Sequence, residues 1–478
     1  MEVAMNQFQR TWPALAACIA LMAFAACTPR PPTTGDDRCD PLVTEDCPQG
    51  QVCEAFADGE NHCTIPVIII GRIIATSDGS PIEGAIVQAV DINGAPAGTS
   101  VITGADGGYE LVVPASRNDA GAPMDGVYTL RAQAAGYQEF PTALRPALPI
   151  DVTTAVQSDT RWHIESALTT IGLIALAGDT SALGSISGTV QASRLTSVLI
   201  VAEGGEDTYV GFSDSTGAYT IFNVPLGAYT VQGYAAGVQL EAAVVSLAAD
   251  EDRTGVNLAG RTAALSTVSG NVQIVNAPGG LVTSVVLAIE STFDEVTARG
   301  QVPPGLRAGN VGGAFSIENV PDGRYVVLAA FENDDLVRDP DLSISGTDII
   351  HIEVPDPVTG NTISISEGFK VTEALVVISP GADEPERVTE ATPTLSWADD
   401  SSEDGYTLRV FDAFGNSVWQ TELGPVTGSA EVSIEYAGTA LEVGMFYQFR
   451  ATSFREQGGI RGSISMTEDL KGVFFFSP

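Results

Sequence analysis

The chain repeats one phrase, and its clearest copy reads Asp214-Ser215-Thr216-Gly217-Ala218-Tyr219-Thr220-Ile221-Phe222-Asn223-Val224-Pro225-Leu226-Gly227-Ala228-Tyr229. Gly217 suits a tight turn, because glycine readily takes a positive φ. Alternation then sends Tyr219 and Ile221 to one face of a strand. A Pro-x-Gly turn reverses the chain, and Tyr229 begins the next strand on the same buried face. The phrase therefore predicts an antiparallel hairpin of a two-sheet sandwich.

Two more copies of the phrase flank this one, at residues 108–128 and 312–325. The first copy is lengthened by a polar loop at 115–125, and the third follows a long insertion at 291–310. Each copy is preceded by an opening strand that contains a glycine, at 67–74, 186–190 and 268–272. The sequence thus predicts three related sandwich units.

These units resemble carboxypeptidase regulatory-like domains, which are small transthyretin-type β-sandwiches. The resemblance is carried by the opening Gly-x-Val/Ile, the Asp/Asn-x-x-Gly-x-Tyr/Phe turn and the Pro-x-Gly-x-Tyr turn, and it covers roughly residues 67–372. The second unit matches best. The resemblance implies a structural or binding accessory rather than a catalyst.

The C-terminal part, from about residue 373, has a different pattern. Thr392-Pro393-Thr394-Leu395-Ser396-Trp397 predicts a strand with a buried Trp397, and residues 405–412 alternate cleanly. The spacing Leu441-x-x-Gly444-x-x-Tyr447 looks like the tyrosine corner of immunoglobulin-type folds. Together these features resemble a fibronectin type III domain. Another antiparallel sandwich is the alternative, and both interpretations predict a spacer or binding module.

The N-terminal segment is typical of an export signal. Residues 11–26 are apolar and lead to Cys27, which is followed by a Thr/Pro spacer at 28–34. Phe24-Ala25-Ala26-Cys27 resembles the lipobox of bacterial lipoproteins. That resemblance implies that Cys27 is acylated and becomes the first residue of the mature chain.

Three alternatives stand beside lipidation of Cys27. Cys18 follows a better lipobox by letter, but too few apolar residues precede it. An ordinary signal peptidase could cut before Ala26, leaving Cys27 as a fifth, unpaired cysteine. The apolar stretch could also be a structural segment. Cysteine parity favours lipidation of Cys27, because it leaves four cysteines to pair.

Those four cysteines, Cys39, Cys47, Cys53 and Cys63, predict a two-disulfide module. In an exported chain, so small a unit cannot build its own core and needs cross-links. The sequence leaves all three pairings open. A zinc site is the less favoured alternative, since no Cys-x-x-Cys pair is present.

Composition excludes several classes of function. The chain has 478 residues, enough for three or four domains, and 44% are hydrophobic. Frequent Gly and Pro among Val, Ile and Thr indicate short strands joined by turns. The net charge of −38 argues against nucleic acid as a partner, because phosphates would be repelled.

No catalytic, metal or cofactor residue is predicted. His62, His163 and His351 stand in separate segments, so the paired His and Glu ligands of a zinc carboxypeptidase are missing. No Gly-x-Ser-x-Gly elbow, phosphate loop or dinucleotide fingerprint follows a strand. Acidic clusters at 334–335, 339–341 and 399–404 are interpreted as solvated loops rather than Ca²⁺ sites.

The chain is therefore expected to be all-β, with tandem antiparallel sandwiches arranged as beads on a short string. The predicted division is a signal peptide at 1–26, a Pro/Thr-rich linker at 27–38, a four-cysteine module at 39–64, regulatory-like sandwiches at 65–180, 181–262 and 263–372, and a fibronectin-like sandwich at 373–478.

The expected function is non-enzymatic. We predict a lipid-anchored stalk in the cell envelope, at the outer membrane because Thr28 follows the lipidated cysteine. It would be structural or adhesive, with a glycan or an envelope protein as its ligand. The alternative is an accessory subunit of a secreted hydrolase, or a divergent hydrolase itself.

Overall fold

A computed structural model describes residues 38–39, 47–91, 95–142, 144–178, 180–205, 207–275, 283–294, 300–331, 349–366, 369–372, 374–400, 402–468 and 470–478. In this part of the chain, every regular element is a β-strand or a short 3-10 turn. The turns are Val152–Thr154, Ala167–Thr169 and Glu290–Thr292. The all-β prediction is confirmed.

The four-cysteine module is a small hairpin of β1 (Val52–Ala55) and β2 (Asn61–Thr64). Disulfides join Cys39 to Cys53 and Cys47 to Cys63, which selects one of the three pairings open from the sequence. The sulfurs are therefore bonded to one another and cannot serve as the thiolates that a zinc site requires.

The first sandwich continues directly from the module. Its strands are β3 (Val67–Ala75), β4 (Ile86–Val90), β5 (Val101–Ile102), β6 (Gly108–Val113), β7 (Ser116–Arg117), β8 (Pro123–Asp125), β9 (Val127–Gln133), β10 (Ile150–Asp151), β11 (Val156–Gln157), β12 (Trp162–Ile164) and β13 (Thr170–Leu173). One sheet has the order β10-β9-β4-β5, and in the other β3 pairs with β6, β12 and β13. The extra strands β7 and β8 form a hairpin of their own within the predicted polar loop.

The second and third sandwiches repeat this plan. The second consists of β14 (Gly184–Gln191), β15 (Leu199–Gly204), β16 (Asp207–Phe212), β17 (Ala218–Val224), β18 (Gly227–Tyr234), β19 (Ala243–Leu247), β20 (Asp252–Arg253) and β21 (Leu258–Ala259). The third consists of β22 (Ser266–Val275), β23 (Thr283–Ile289), β24 (Arg307–Val311), β25 (Ala314–Val320), β26 (Gly323–Phe331), β27 (Ile350–Val354), β28 (Thr362–Ser364) and β29 (Phe369–Thr372). Their sheet orders correspond: β16-β15-β18-β19 matches β24-β23-β26-β27.

The strands of the repeated phrase do not form the predicted hairpin. In the second sandwich β17 pairs with β14, whereas β18 pairs with β15 in the opposite sheet. The Pro-x-Gly turn thus carries the chain across the core from one sheet to the other. Both aromatics are buried as predicted, since Tyr219 and Tyr229 face the core from opposite sides. Alternation identifies a buried face, but it does not say which sheet a strand joins.

The opening glycine of each sandwich lies directly opposite the first aromatic of the phrase. The register pairs Gly71 with Tyr109, Gly188 with Tyr219, and Gly270 with Phe315. A methyl group at Gly188 would overlap the carbonyl group of Val256. The same carbonyl accepts a 2.6 Å hydrogen bond from the Tyr219 hydroxyl. Close backbone approach therefore explains why the opening strand contains glycine.

The opening strands also take parallel partners, which the antiparallel pattern alone did not predict. β3 pairs in parallel with β12 and β13, β14 with β20 and β21, and β22 with β28 and β29. In each sandwich the C-terminal part of the unit pairs with the opening strand in two short segments, and between these segments it does not pair with that strand. In the first and second sandwiches, the Tyr109 and Tyr219 hydroxyls donate to carbonyls of the chain between these two segments, at Thr169 and Val256.

The C-terminal sandwich has two sheets around Trp397. Its strands are β30 (Val377–Ser379), β31 (Glu386–Val388), β32 (Thr394–Ala398), β33 (Gly405–Asp412), β34 (Ser417–Leu423), β35 (Glu431–Glu435), β36 (Phe446–Gln457), β37 (Ile460–Met466) and β38 (Val473–Phe476). One sheet has the order β30-β32-β35, and the other runs β31-β38-β36-β33-β34. The Glu442 amide donates a 2.8 Å hydrogen bond to the Tyr447 hydroxyl, the contact that a tyrosine corner makes.

Candidate functional site

The sandwiches pack against one another, so the prediction of separate units arranged as beads on a string is wrong. The core of the third sandwich includes Leu199, Val201 and Phe212 from the second. The core of the first includes Phe411 and Ala413 from the C-terminal sandwich. A sheet that packs on both faces reads as a continuous apolar run, and Leu199-Ile200-Val201-Ala202 is such a run. That run was the sequence signal for packing between sandwiches. Because the sandwiches share cores, their junctions are the candidate functional site.

The first junction joins the four-cysteine module to the first sandwich through a buried ion pair. Arg117, on the extra hairpin, is 0% exposed and Glu54, on β1, is 6% exposed. The Arg117 Nε donates to Glu54 Oε2, and its Nη2 donates to the Ile65 carbonyl at 3.0 Å. The Ala115 amide donates to Glu54 Oε1 at 3.0 Å. The polar loop that distinguishes the first sandwich is therefore a docking site for the module.

Burial raises the pKa of the Glu54 carboxyl, although Arg117 and the hydrogen bonds from Arg117 and Ala115 work in the opposite direction. The ionised pair is thus held in a site that disfavours charge. Such a pair stabilises a contact only while both partners are present.

The second junction joins the first and second sandwiches through Asn223, at the end of β17. Its side chain donates to the carbonyls of Ala134 at 3.0 Å and Tyr137 at 2.9 Å, and accepts from the Gly136 amide at 2.7 Å. Its backbone has a φ of +59°, the left-handed region that asparagine tolerates better than most residues. One side chain thus makes hydrogen bonds to three backbone groups in a turn of the preceding sandwich.

The third junction joins the second and third sandwiches through Asp322, within the Pro-x-Gly turn. Its carboxylate accepts hydrogen bonds from Arg261 and, at 2.9 Å, from the Gln239 side chain. Close by, the Gly237 amide donates to the Asn319 carbonyl at 2.8 Å. The rings of Tyr234 and Tyr325 meet edge to face with centroids 6.1 Å apart.

These three junctions use one structural position. In each case the preceding unit is contacted by the end of the phrase's first strand or by the turn after it. The contacts are made by the extra hairpin in the first sandwich, by Asn223 in the second, and by Asn319 and Asp322 in the third. The module docks where the first sandwich has lengthened that turn. The repeat therefore encodes attachment as well as a fold.

Arg131, on β9, lies where the first three sandwiches meet. Its guanidinium donates to Gln301 of the third sandwich and to Glu139 of its own at 2.9 Å. It also stands 5.0 Å from the ring centroid of Phe212 in the second sandwich. Burial acts to raise the pKa of Glu139, but the Arg131 charge and hydrogen bonds from Gln133 and Arg131 outweigh it and lower that pKa.

The C-terminal sandwich packs back onto the first through Arg145. This guanidinium donates to the carbonyls of Gly172 at 3.0 Å and Phe414 at 2.8 Å, and stacks 5.2 Å from the Phe140 ring centroid. Burial lowers the pKa of Arg145. The chain thus closes on itself through its first and last sandwiches.

The residues singled out from the sequence are not brought together. Cys27, the predicted lipidation site, and the acidic clusters at 334–341 lie outside the described residues. His62 lies 3.2 Å from Asp58 within the four-cysteine module, and His351 lies 2.7 Å from Glu290 within the third sandwich. Among the described residues, the one close group of metal-ligating side chains is Cys39, Cys47 and Cys63, all disulfide-bonded.

The acidic loop at 399–404 is not simply solvated. Asp399 and Asp400 accept from the hydroxyls of Tyr406 at 2.8 Å and Ser453 at 2.7 Å. Glu403 is buried and accepts from the Val426 amide at 2.9 Å. These carboxylates hold the loop onto the C-terminal sandwich, which corrects the prediction of a solvated loop.

A polar groove of about 780 Å³ lies on the first sandwich, over the opening glycine. It is lined by Arg72, Asp106, Glu110, Glu165 and Ser166 among others. Ser166 already caps the adjacent 3-10 turn, and Glu110 pairs with Arg161 at 2.8 Å. The Ser166 hydroxyl and the Glu110 carboxylate are thus engaged in structural contacts.

In the part of the chain that the structure describes, we find no helix with the length and apolar character needed to cross a membrane.

Comparisons with known proteins identify no family. No protein-family model and no curated protein matches the chain. Similar solved structures include the TIE protein of Bacillus anthracis, at 11% identity and a TM-score of 0.15, covering 85% of this chain and 72% of that one. Two B repeat units of the collagen-binding protein of Staphylococcus aureus align at 11% identity and a TM-score of 0.16, covering 86% and 98%. A streptococcal ancillary pilin aligns at 11% identity and a TM-score of 0.17, covering 62% and 99%. TM-scores this low support no argument about function, so the candidate site rests on the contacts within this chain.

The Asn223 junction gives a direct test of the attachment. Asn223→Gly keeps the left-handed backbone accessible and removes the three side-chain hydrogen bonds, so it should cost about 2 kcal/mol at the junction. We expect the Gly136 amide to exchange with solvent at least about tenfold faster, measured by hydrogen exchange.

The matched control is Asn319→Gly, at the corresponding position of the third sandwich with a φ of +58°. It makes the same backbone change, but the junction there uses the Asn319 carbonyl, which glycine retains. Equal acceleration of junction exchange in both variants would show that the Asn223 side chain does not hold the first and second sandwiches together.

Proposed function

We propose that this chain is a non-enzymatic lipoprotein of the cell surface that acts as a rigid structural or adhesive scaffold. The observation that carries this proposal is the repeated junction, in which the turn of each of the first three sandwiches contacts the unit before it. In these junctions buried or partly buried polar side chains fix the position of one unit against another. It suits a protein that holds a ligand-binding surface at a fixed place outside the cell.

The proposal includes an anchor at Cys27 and the domain division predicted from the sequence. Two disulfides in the module beside the linker support an oxidising compartment outside the cytoplasm. The regulatory-like and fibronectin-like resemblances of the sandwiches support a binding or spacing role. A lipid on Cys27, in the outer membrane, would place the module nearest the membrane and the sandwiches beyond it.

Labelled palmitate tests the anchor. The wild-type chain expressed in a bacterial host is expected to incorporate label into the membrane fraction, and Cys27→Ser to lose it. Cys18→Ser is the matched control and should retain full labelling. Labelling that survives Cys27→Ser, or is lost with Cys18→Ser, would refute lipidation at Cys27.

Turnover and capture test the role. The purified chain is expected to hydrolyse no ester, peptide or glycoside substrate, and to bind immobilised envelope glycans or proteins. Measurable turnover would refute the non-enzymatic proposal. Recovery of a stoichiometric secreted hydrolase from envelope extracts would instead favour the accessory-subunit alternative.

A further inference from the structure

Three topologically equivalent strands end a sheet in the first three sandwiches, and they differ in how their free edges are protected. They are β10, β19 and β27, each paired on one side with the long strand before it. An open edge presents unpaired backbone N–H and C=O groups, which invite another strand. Proteins usually blunt such edges by shortening them or by placing charges on them.

Two of these edges are blunted in those ways. β10 is two residues long and ends in Asp151. β27 carries His351 and Glu353, both exposed, at alternate positions along its five residues. A strand added beside either edge would meet too few backbone partners or would have to cover charged side chains.

The edge of the second sandwich has neither protection. β19 is five residues long, and residues 242–249 contain no charged side chain. Val244 is 81% exposed, whereas Val245 and Leu247 face the core. Among the described strands only β18 pairs with β19, so no described strand pairs with the opposite row of backbone groups. A strand edge that is uncharged and carries an exposed β-branched side chain suits pairing with an extended segment.

The charges at the ends of β19 select the kind of segment. Glu241 lies just before the uncharged stretch and Asp250 just after it, and both are exposed. The chain as a whole carries a net charge of −38, which opposes pairing with a second copy of itself. A basic partner would be attracted, and its positive ends would meet Glu241 and Asp250.

We propose that β19 is a docking edge for an extended, uncharged segment with Lys or Arg at its ends, supplied by another protein. The segment would add a strand to the sheet β16-β15-β18-β19 by backbone hydrogen bonds. This inference goes beyond the scaffold function, since it names a surface and the chemistry of what the surface receives.

The test uses the full chain and a fluorescent probe peptide of alternating threonine and valine with lysine at both ends. We expect binding that weakens with salt, and slower amide exchange confined to residues 243–247. Val244→Lys is expected to weaken binding at least about tenfold, because a charge now covers the edge. Val358→Lys is the matched control, since Val358 is 89% exposed in a turn of the third sandwich, and it should bind as the wild type does.

Two control peptides separate the causes. Glutamate at both ends should weaken binding at least about tenfold through charge, and N-methylation of alternate amides should abolish it through lost hydrogen bonds. Equal binding of the methylated peptide, or protection outside residues 243–247, would overturn the proposal. So would a concentration-dependent dimer of the wild type in sedimentation that disappears in Val244→Lys, because the edge would then serve a second copy. These outcomes are independent of the anchor and turnover tests.

Discussion

Gly188→Ala is expected to unfold the second sandwich. The added Cβ would overlap the Val256 carbonyl, and this contact is with backbone rather than with a movable side chain. To make room, β14 would have to separate from the returning chain, breaking the Tyr219 hydrogen bond and the parallel pairs of β20 and β21. A clash of this kind belongs to the exceptional class that costs more than about 4 kcal/mol.

Calorimetry or circular dichroism would show the loss of one cooperative transition or a large fall in its midpoint. Gly312→Ala is the matched control, since its Cβ would meet nothing within 4 Å and its φ is ordinary. That variant should melt as the wild type does. A stable, fully folded Gly188→Ala protein would contradict the close approach of the Val256 carbonyl to the opening strand.

Arg117→Ala is expected to release the four-cysteine module from the first sandwich while both stay folded. Removing the guanidinium leaves Glu54 buried without its charge partner, and breaking such a pair costs about 3–5 kcal/mol. Hydrogen exchange of the Ala115 and Ala57 amides, which donate across the junction to Glu54 and to the Arg117 carbonyl, should accelerate by at least about a hundredfold, as should limited proteolysis near residue 65. The first sandwich should keep its own protected core.

Two controls define the cause of the effect. Arg161→Ala breaks a partly exposed pair with Glu110 and should cost less than about 1 kcal/mol. Glu54→Leu combined with Arg117→Met removes both charges and should restore much of the docking, because no uncompensated charge remains. If the double variant docks as poorly as Arg117→Ala, hydrogen bonding to Ile65 and Ala115 rather than charge pairing holds the module.

The sign of the pH dependence follows from the raised pKa of Glu54. A carboxyl whose pKa is higher when docked than its usual 4.5 contributes stability that is complete below that value. The contribution is lost as the pH rises through the docked pKa. Without Arg117 the pKa rises further, so Arg117→Ala should recover docking in acid and lose it near neutrality. Glu54→Gln should remove this dependence.

Much of the fold was predictable from the sequence. The turn glycines, the alternation around Tyr219 and the second aromatic at Tyr229 predicted which residues are buried, and all of these are local patterns. The all-β class follows from the same patterns. The cysteine count predicted two disulfides, and the tertiary structure selected the pairing, because sequence spacing does not say which strands lie together.

The junctions between units were harder to predict from the sequence. Asn223 looked like an ordinary turn residue, and Asp322 like the variable position of a Pro-x-Gly turn. Their roles depend on a neighbouring sandwich lying against that turn, and nothing within a few residues encodes that placement. The polar loop at 115–125 was visible as an insertion, but its purpose required seeing Arg117 meet Glu54 some sixty residues away along the chain.

By itself the sequence determined where strands form, which side of each is apolar and where the chain must turn, since backbone preference and side-chain alternation act over a few residues. Only the tertiary structure decided that the phrase crosses between sheets, that β12 and β13 run parallel to β3, and that the outer faces of sheets are shared between sandwiches. Those outcomes depend on which distant surfaces bury the most apolar area together. A run such as 199–202 shows that both faces of a strand are covered, but it does not say which distant surface covers them.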